Sequence, residues 1–337
     1  MADASSSAQV IMSHALRTTL FIASLFFCGN SFCQDSLKVQ HFIFVQHDND
    51  FLNITGNETD EYYTGGFNLQ YGFLNKSDNI LKKILFAPGH PTYSFFKAGF
   101  TFWVYTPSDI DTNKVVQGDY PYSGILFLNL SRETKIDSRK LFRSEFWLGV
   151  LGPTALGMQT QDFIHDHVPS TKPQGWATQL PDYPVFNYNL YYESNLASVS
   201  NKIKLNALFY TQIGSLINSA QAGFNLLFAS DPDNFFPEQV YALDRKELNR
   251  RGKFFVELSP VLRYVVTNSI LEGGLFQNKN YYHIPADSLD RFVFEGSGTF
   301  GYHAGHISIL YKETFQTPQF NSVRSHTYGS LILIIRL

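Results

Sequence analysis

Cysteine is almost missing from this chain: its 337 residues hold two, Cys28 and Cys33, both near the N-terminus. If that segment is removed, no thiol is left, and disulfides, thiolate nucleophiles and cysteine-bound zinc are excluded together. Charge is scarce too, with 16% Asp, Glu, Lys and Arg and a formal net charge of -3. No basic field is available for a phosphate backbone, so no nucleic-acid partner is expected. The chain has no Gly-x-Ser-x-Gly, no His-Glu-x-x-His and no phosphate-cradling glycine loop. Beyond the N-terminal segment no apolar run reaches the roughly 20 residues of a spanning helix. An integral membrane form would therefore be a closed barrel, because only helices and barrels satisfy the backbone in lipid.

What the chain has in plenty is aromatic surface, 16% of residues with 32 Phe and 19 Tyr, a habit of membrane barrels. Its first residues read as an export signal: His14 and Arg17 precede an apolar core from Leu20 to Cys28, then small and polar residues. This places a signal peptide over 1–33 with cleavage near Cys33, and leaves Met12 as an alternative start. The rest, 34–337, reads as one domain.

Period-two alternation recurs along that domain. In "YYTGGFNLQYGF", Tyr63, Phe67, Leu69, Tyr71 and Phe73 share one face while Thr64, Asn68 and Gln70 share the other. "LFRSEFWLGV" sets Phe142, Phe146, Leu148 and Val150 against Arg143 and Glu145, and "GKFFVELSPVLRYV" sets Phe254, Val256, Leu258, Leu262 and Tyr264 against Lys253, Glu257, Ser259 and Arg263. Twelve segments of this kind begin near Gln40, Tyr62, Phe95, Tyr122, Leu141, Pro184, Ile203, Ser219, Lys253, Arg291, Gly305 and His326. Apolar faces edged by aromatics, opposite faces carrying charge, predict an all-β transmembrane antiparallel barrel of about 12 strands. A soluble β-sandwich would alternate too, and is the alternative if the apolar faces meet each other. Pro260 sits inside a strand, where a missing N–H breaks a ladder bond. The segments 231–250 and 268–290 read as long loops.

Four groups of polar residues stand outside the rhythm. Asp48, Asn49 and Asp50 in "QHDNDF" offer oxygens to a cation, but Leu52 stands where an EF-hand loop needs a ligand. Thr64 falls on the polar face of its strand, as an interior threonine. Lys114 lies in the polar loop "YTPSDIDTNKVVQGD". The stretch "GPTALGMQTQDFIHDHV" breaks the strand pattern with a short helix started by Pro153. Four residues apart, Gln161 and His165 share one face of it, which suits an imidazole base beside an orienting amide, or an ordinary polar loop helix. The sequons at Asn53, Asn57, Asn75 and Asn129 are read as accidental.

The order of these motifs resembles the LpxR-type lipid A 3'-O-deacylase family of outer-membrane barrels, over most of the chain after the signal. "DNDF" is similar to the family's Asn-Asp pair, "DEYYTGGFNLQYGF" to its Tyr-Thr-x-Gly segment, "YTPSDIDTNK" with "GDYPYSGILFL" to the next loop and strand, and "GVLGPTALGMQTQDFIH" to its helix-bearing loop. The resemblance implies an integral protein of the bacterial outer membrane, with the helix in an extracellular loop. It also implies hydrolysis of an ester-linked acyl chain on lipid A in the outer leaflet, by a monomer. It brings Asn49, Asp50, Thr64, Lys114, Gln161 and His165 as site residues: His165 as general base, Asp50 as a ligand of Ca²⁺ that stabilises the oxyanion, and the others binding or orienting substrate. One departure is plain, since Thr171 stands where the family has a glutamate, with Asp162, Asp166 or Asp50 as replacements. A non-catalytic barrel, whether pore, adhesin or inactive relative, is the alternative from another class.

Overall fold

The computed structural model describes residues 41–55, 61–75, 80–89, 94–137, 139–167, 171–199, 202–230, 252–274 and 281–337. The signal peptide expected at 1–33 and the loop expected at 231–250 lie outside the described residues. Twelve antiparallel strands close into one barrel, each hydrogen-bonded to its neighbours in sequence, with β1 (His41–Asn49) meeting β12 (His326–Arg336). Between them run β2 (Tyr62–Asn75), β3 (Ser94–Thr106), β4 (Ser123–Lys135), β5 (Lys140–Leu151), β6 (Tyr183–Val199), β7 (Ile203–Gly214), β8 (Ile217–Ala229), β9 (Lys253–Asn268), β10 (Phe292–Ala304) and β11 (Ile307–Gln316). Closure leaves no edge strand, as lipid requires.

The two faces separate as the alternation predicts. Leu128, Leu148, Phe186, Phe209, Phe254 and Leu262 are exposed on the outside. Asp48, Lys97, Arg143, Glu145, Arg263 and Glu295 line the interior, around a cavity of about 570 Å³. The apolar faces thus turn outward, which excludes the sandwich. Inside, charges are paired: Arg143 Nε lies 2.7 Å from Glu145 and Arg263 lies 3.7 Å from Glu295. Apolar clusters close on the cavity from both ends. Phe42, Phe95, Leu227, Phe255, Leu310 and Ile334 pack together near the termini. Tyr62, Tyr120, Leu271, Ile284, Leu289 and Phe320 pack at the opposite mouth.

Pro260 does lie within β9, and the ladder yields locally. Gly223 pairs with Val261 and Leu226 with Leu258, while the two positions between them make no ladder pair. The register is the same on both sides of the gap, so a missing donor costs local pairing and not strand alignment.

Candidate active site

Because β1, β3 and β5 run toward the same rim, the chain's order alone brings the expected site residues to one end of the barrel. Asn49 ends β1 and Asp50 follows it, Thr64 lies near the start of β2, Lys114 lies between β3 and β4, and Gln161 and His165 lie between β5 and β6. Both termini of the barrel are at the other end. The site rim carries the connections 50–61, 107–122, 152–182 and 269–291, while the terminal end carries 76–93 and 230–252 beside turns as short as 305–306. More of the connecting chain thus lies at the site rim, as expected of the extracellular end of a bacterial barrel.

Asn49 alternates with Asp48. The latter points inward, accepting hydrogen bonds from Tyr63 Oη and Gln46 Nε2, both at 2.7 Å. Asn49 therefore faces outward, where its Oδ1 accepts from the Phe51 N–H at 2.8 Å and caps the single turn Asp50–Leu52. Its cross-strand partner is Gly65. A Cβ there would stand 3.1 Å from Asp48 O and 3.6 Å from Asn49 Nδ2, so the absence of a side chain leaves the amide its room. Asp50 is fully buried, and its two carboxylate oxygens accept from the Phe51 and Glu61 N–H groups at 3.1 and 3.2 Å.

Thr64 is not an interior residue. A bulge between Tyr63 and Gly65 adds one residue to β2 opposite β3, which shifts the alternation by one. Tyr63 turns inward to Asp48. The Thr64 hydroxyl lies 2.6 Å from that of Thr106, and Thr106 follows the lumenal Tyr105, so the pair sits on the outer face, both hydroxyls buried.

The helix is pressed onto that same outer face. Residue 152 holds φ at 115°, a conformation that favours glycine, and the following turn is tied down by Thr154, whose N–H and hydroxyl donate to Asp182 at 2.8 and 2.7 Å. Helix α2 (Gly157–His165) follows a first short helix, α1 (Ile80–Ile84). Gly157 meets Gly124 of β4 backbone to backbone: a Cβ on Gly124 would be 3.0 Å from Gly157 Cα, and one on Gly157 would be 2.6 Å from the Trp176 ring. Trp176 lies against Tyr122 and Val104 and donates its Nε1–H to Gln161 Oε1 at 2.9 Å. Buried Gln161 thus has its amide orientation set, with the NH₂ as its remaining donor end. His165, one turn further on the same face, is half-buried. Met158, Phe163 and Ile164 are exposed on the side away from the wall.

Lys114 is exposed in its loop, which is joined to the chain after α2 by the Gln174 N–H donating to Ile110 O at 2.8 Å. His167 turns away, its Nδ1 2.8 Å from Phe163 O. Asp166 is engaged by Lys172 at 2.5 Å, whose hydrogen bond and charge hold its carboxyl below the usual range. Thr171 is exposed. Two residues that build the site carried no role in the sequence reading: Thr106, which has no feature to separate it from any strand-end threonine, and Trp176, which lies in a stretch without periodicity.

The donors around Asp50 suit calcium in kind and are few in number. Asn49, Asp50 and Thr64 are hard oxygen donors, and Asp50 is a wholly buried carboxylate. Yet no group of three His, Cys, Asp or Glu that could hold a metal occurs among the described residues, where Ca²⁺ takes about 6–8 oxygens.

A closed barrel with a greasy exterior, a charged interior and a polar site on its outer wall defines an integral outer-membrane protein. The chain belongs to the LpxR family: the family model described as outer membrane protein LpxR matches residues 20–337. The fold agrees with LpxR from Salmonella typhimurium, at TM-score 0.69 and 16% identity over 87% of this chain and 99% of that one. The translocator domain of autotransporter NalP from Neisseria meningitidis is a more distant barrel, with TM-score 0.35 and 8% identity over 99% of this chain and 98% of that one. No curated protein matches the chain.

Proposed function

We propose that the protein is an esterase of the outer membrane that hydrolyses an ester-linked acyl chain of lipid A, working as a monomer. The observation that carries this reading is the placement of α2 on the outside of the barrel wall at its extracellular rim, where Gln161 and His165 face the wall beneath an exposed apolar side. A lipid of the outer leaflet reaches that face without leaving the bilayer, whereas a solute in the lumen does not meet it.

In this mechanism His165 accepts a proton from water as it attacks the ester carbonyl, and returns the proton to the sugar oxygen when the carbon–oxygen bond breaks. A positioned base of this kind contributes roughly 10²–10⁴-fold. The Gln161 NH₂, aimed by Trp176, donates to the oxygen on which negative charge develops; removal of one such donor costs on the order of 10²–10³-fold. Asn49 and Thr64 orient the sugar and ester, and Lys114 meets a lipid A phosphate as a mobile point charge. Asp50 would hold Ca²⁺, which when bound would supply positive charge beside the developing oxyanion. With one carboxylate in the shell, affinity should fall in the weak range of about 10⁻⁴–10⁻³ M.

The test is mass spectrometry of lipid A from cells expressing the wild type or His165→Ala. Loss of one acyl chain with the wild type, and intact lipid A with the variant, is the expected result. Intact lipid A with both removes the enzymatic reading and leaves the inactive relative, which Thr171 in place of the family's glutamate favours.

A further inference from the structure

One patch of the outer wall breaks the rule of the rest. By alternation with lumenal Lys97, Asn129, Arg143 and Tyr191, the side chains of Ser94, Phe96, Arg132, Thr134, Phe142 and Tyr188 point outward, toward lipid. Ser94, Arg132 and Thr134 are polar, and an uncovered arginine at such a face is unfavourable in a bilayer, most at the midplane and less near the interfaces. Yet Ser94, Phe96 and Thr134 are 1%, 0% and 1% exposed, and Arg132 and Phe142 are 7% and 9% exposed.

What covers them is α1 and the residues after it, "ILKKILF" over 80–86, from the connection between β2 and β3 at the terminal end of the barrel. Leu85 is fully buried, and Phe86 packs edge-on against Phe142 at 5.6 Å. Non-barrel backbone is tolerated beside lipid only where its polar groups are satisfied, and here the wall takes up the Ile84 and Leu85 carbonyls and the Phe86 N–H. Tyr188 Oη accepts from the Phe86 N–H at 2.8 Å and donates to Ile84 O at 3.1 Å. Arg132 donates to Leu85 O at 3.1 Å while also bonding Ser94 Oγ, and the Leu85 N–H closes the helix onto Leu81 O at 2.8 Å. The side of the segment turned from the wall carries Ile80, Ile84 and Phe86, which are 65%, 42% and 57% exposed, with Lys83 exposed beside them.

The geometry points to a lipid-docking strap: residues Ile80 to Phe86 replace the barrel wall as its lipid-facing surface in the periplasmic leaflet, with the apolar side chains among phospholipid tails and Lys83 at the headgroup phosphates. Two features select phospholipid as the occupant. The exposed apolar side chains continue the outer band of the barrel, with Tyr188 lying between exposed Phe186 and the next outward position. A lysine pair, Lys82 and Lys83, flanked by apolar residues is also the interfacial pattern that snorkels to anionic headgroups.

The experiment uses the full chain with Cys28→Ser and Cys33→Ser, carrying single nitroxide labels on cysteines placed at Ile84, Phe86, Lys83 or, for reference, Leu128 of β4. The protein is folded into vesicles of equal phosphatidylethanolamine and phosphatidylglycerol, with heat-modifiable migration as the check on folding. Labels at Ile84 and Phe86 should collide with oxygen several-fold more than with a water-soluble nickel chelate, within about twofold of the Leu128 label, and the Lys83 label should be intermediate. Preferential collision with the chelate would place the strap in water, and immobilisation with neither collision would mean a protein contact such as a second copy; each overturns the proposal. Aqueous hydroxyl-radical labelling of the unsubstituted protein in the same vesicles reads the native side chains: protection of Ile84 and Phe86 is expected, and oxidation at the level of solvent-exposed loops would refute it.

Discussion

The bond between Trp176 and Gln161 gives the sharpest handle on the site. Trp176→Phe removes the indole N–H and leaves Gln161 Oε1 buried without that donor, at a cost of about 1–3 kcal/mol. The smaller ring also leaves a void against Tyr122 and Gly157, adding about 1 kcal/mol. Docking of α2 on the wall should therefore weaken by about 2–4 kcal/mol, roughly 30- to 700-fold at 1.4 kcal/mol per tenfold. None of the twelve strand ladders includes either residue, so heat-modifiable migration should be unchanged. Limited proteolysis within 152–182 should accelerate tenfold or more, and lipid A deacylation in detergent should fall by at least that factor. The paired variant Trp176→Phe with Gln161→Met removes donor and acceptor together. It should regain much of the protease resistance, because no polar atom is left stranded, but not the activity, because the amide donor is gone. Wild-type proteolysis and turnover in Trp176→Phe would refute the argument that this bond holds the helix to the wall, and full activity in the paired variant would remove Gln161 from the chemistry.

Gly157→Val should lift α2 off the wall, since its Cβ would fall 2.6 Å from the Trp176 ring; at least a tenfold loss of deacylation with an intact barrel is expected, read by mass spectrometry. Chelation with EGTA should lower activity and millimolar calcium should restore it, as one carboxylate supports weak binding; activity indifferent to both would remove Asp50 as a metal ligand. Asp166 has a lowered pKa through Lys172, so their pair is complete above the ordinary carboxylate pKa of about 4 and is lost only as pH falls through the lowered value. Asp166→Asn should accordingly leave the rate within about twofold from pH 5 upward, whereas a large loss would make Asp166 part of the site. With apolar clusters at both ends of the lumen, the purified barrel should show no conductance steps in planar bilayers, and discrete steps of porin size would revive the pore.

Much of this architecture was legible because a barrel writes itself into period two. Expected starts at Tyr62, Ile203, Lys253 and His326 coincide with the observed strands, since lipid outside and charge inside leave the alternation little freedom. The rim placement of the six site residues followed from counting strands. Thr64 was misjudged because a bulge is a defect in that same count: "TGG" gives no sign of which residue is extra. The pairing of Trp176 with Gln161 was out of reach for another reason, as it joins loop positions fifteen residues apart with no periodicity between them. Arg132 and Thr134 on the outer wall make sense only with the covering segment in place, and sequence alone does not reveal which stretch of wall a loop will lie across.

The extra residue in β2 makes two neighbours answer to different solvents. Tyr63 belongs to the barrel's wet interior, where its hydroxyl serves Asp48, and Thr64 belongs to the lipid side, where it meets Thr106. Shortening the strand by that one residue would exchange the loyalties of every position between the kink and the rim, so the candidate site at the membrane surface hangs on an irregularity a smooth cylinder would not contain.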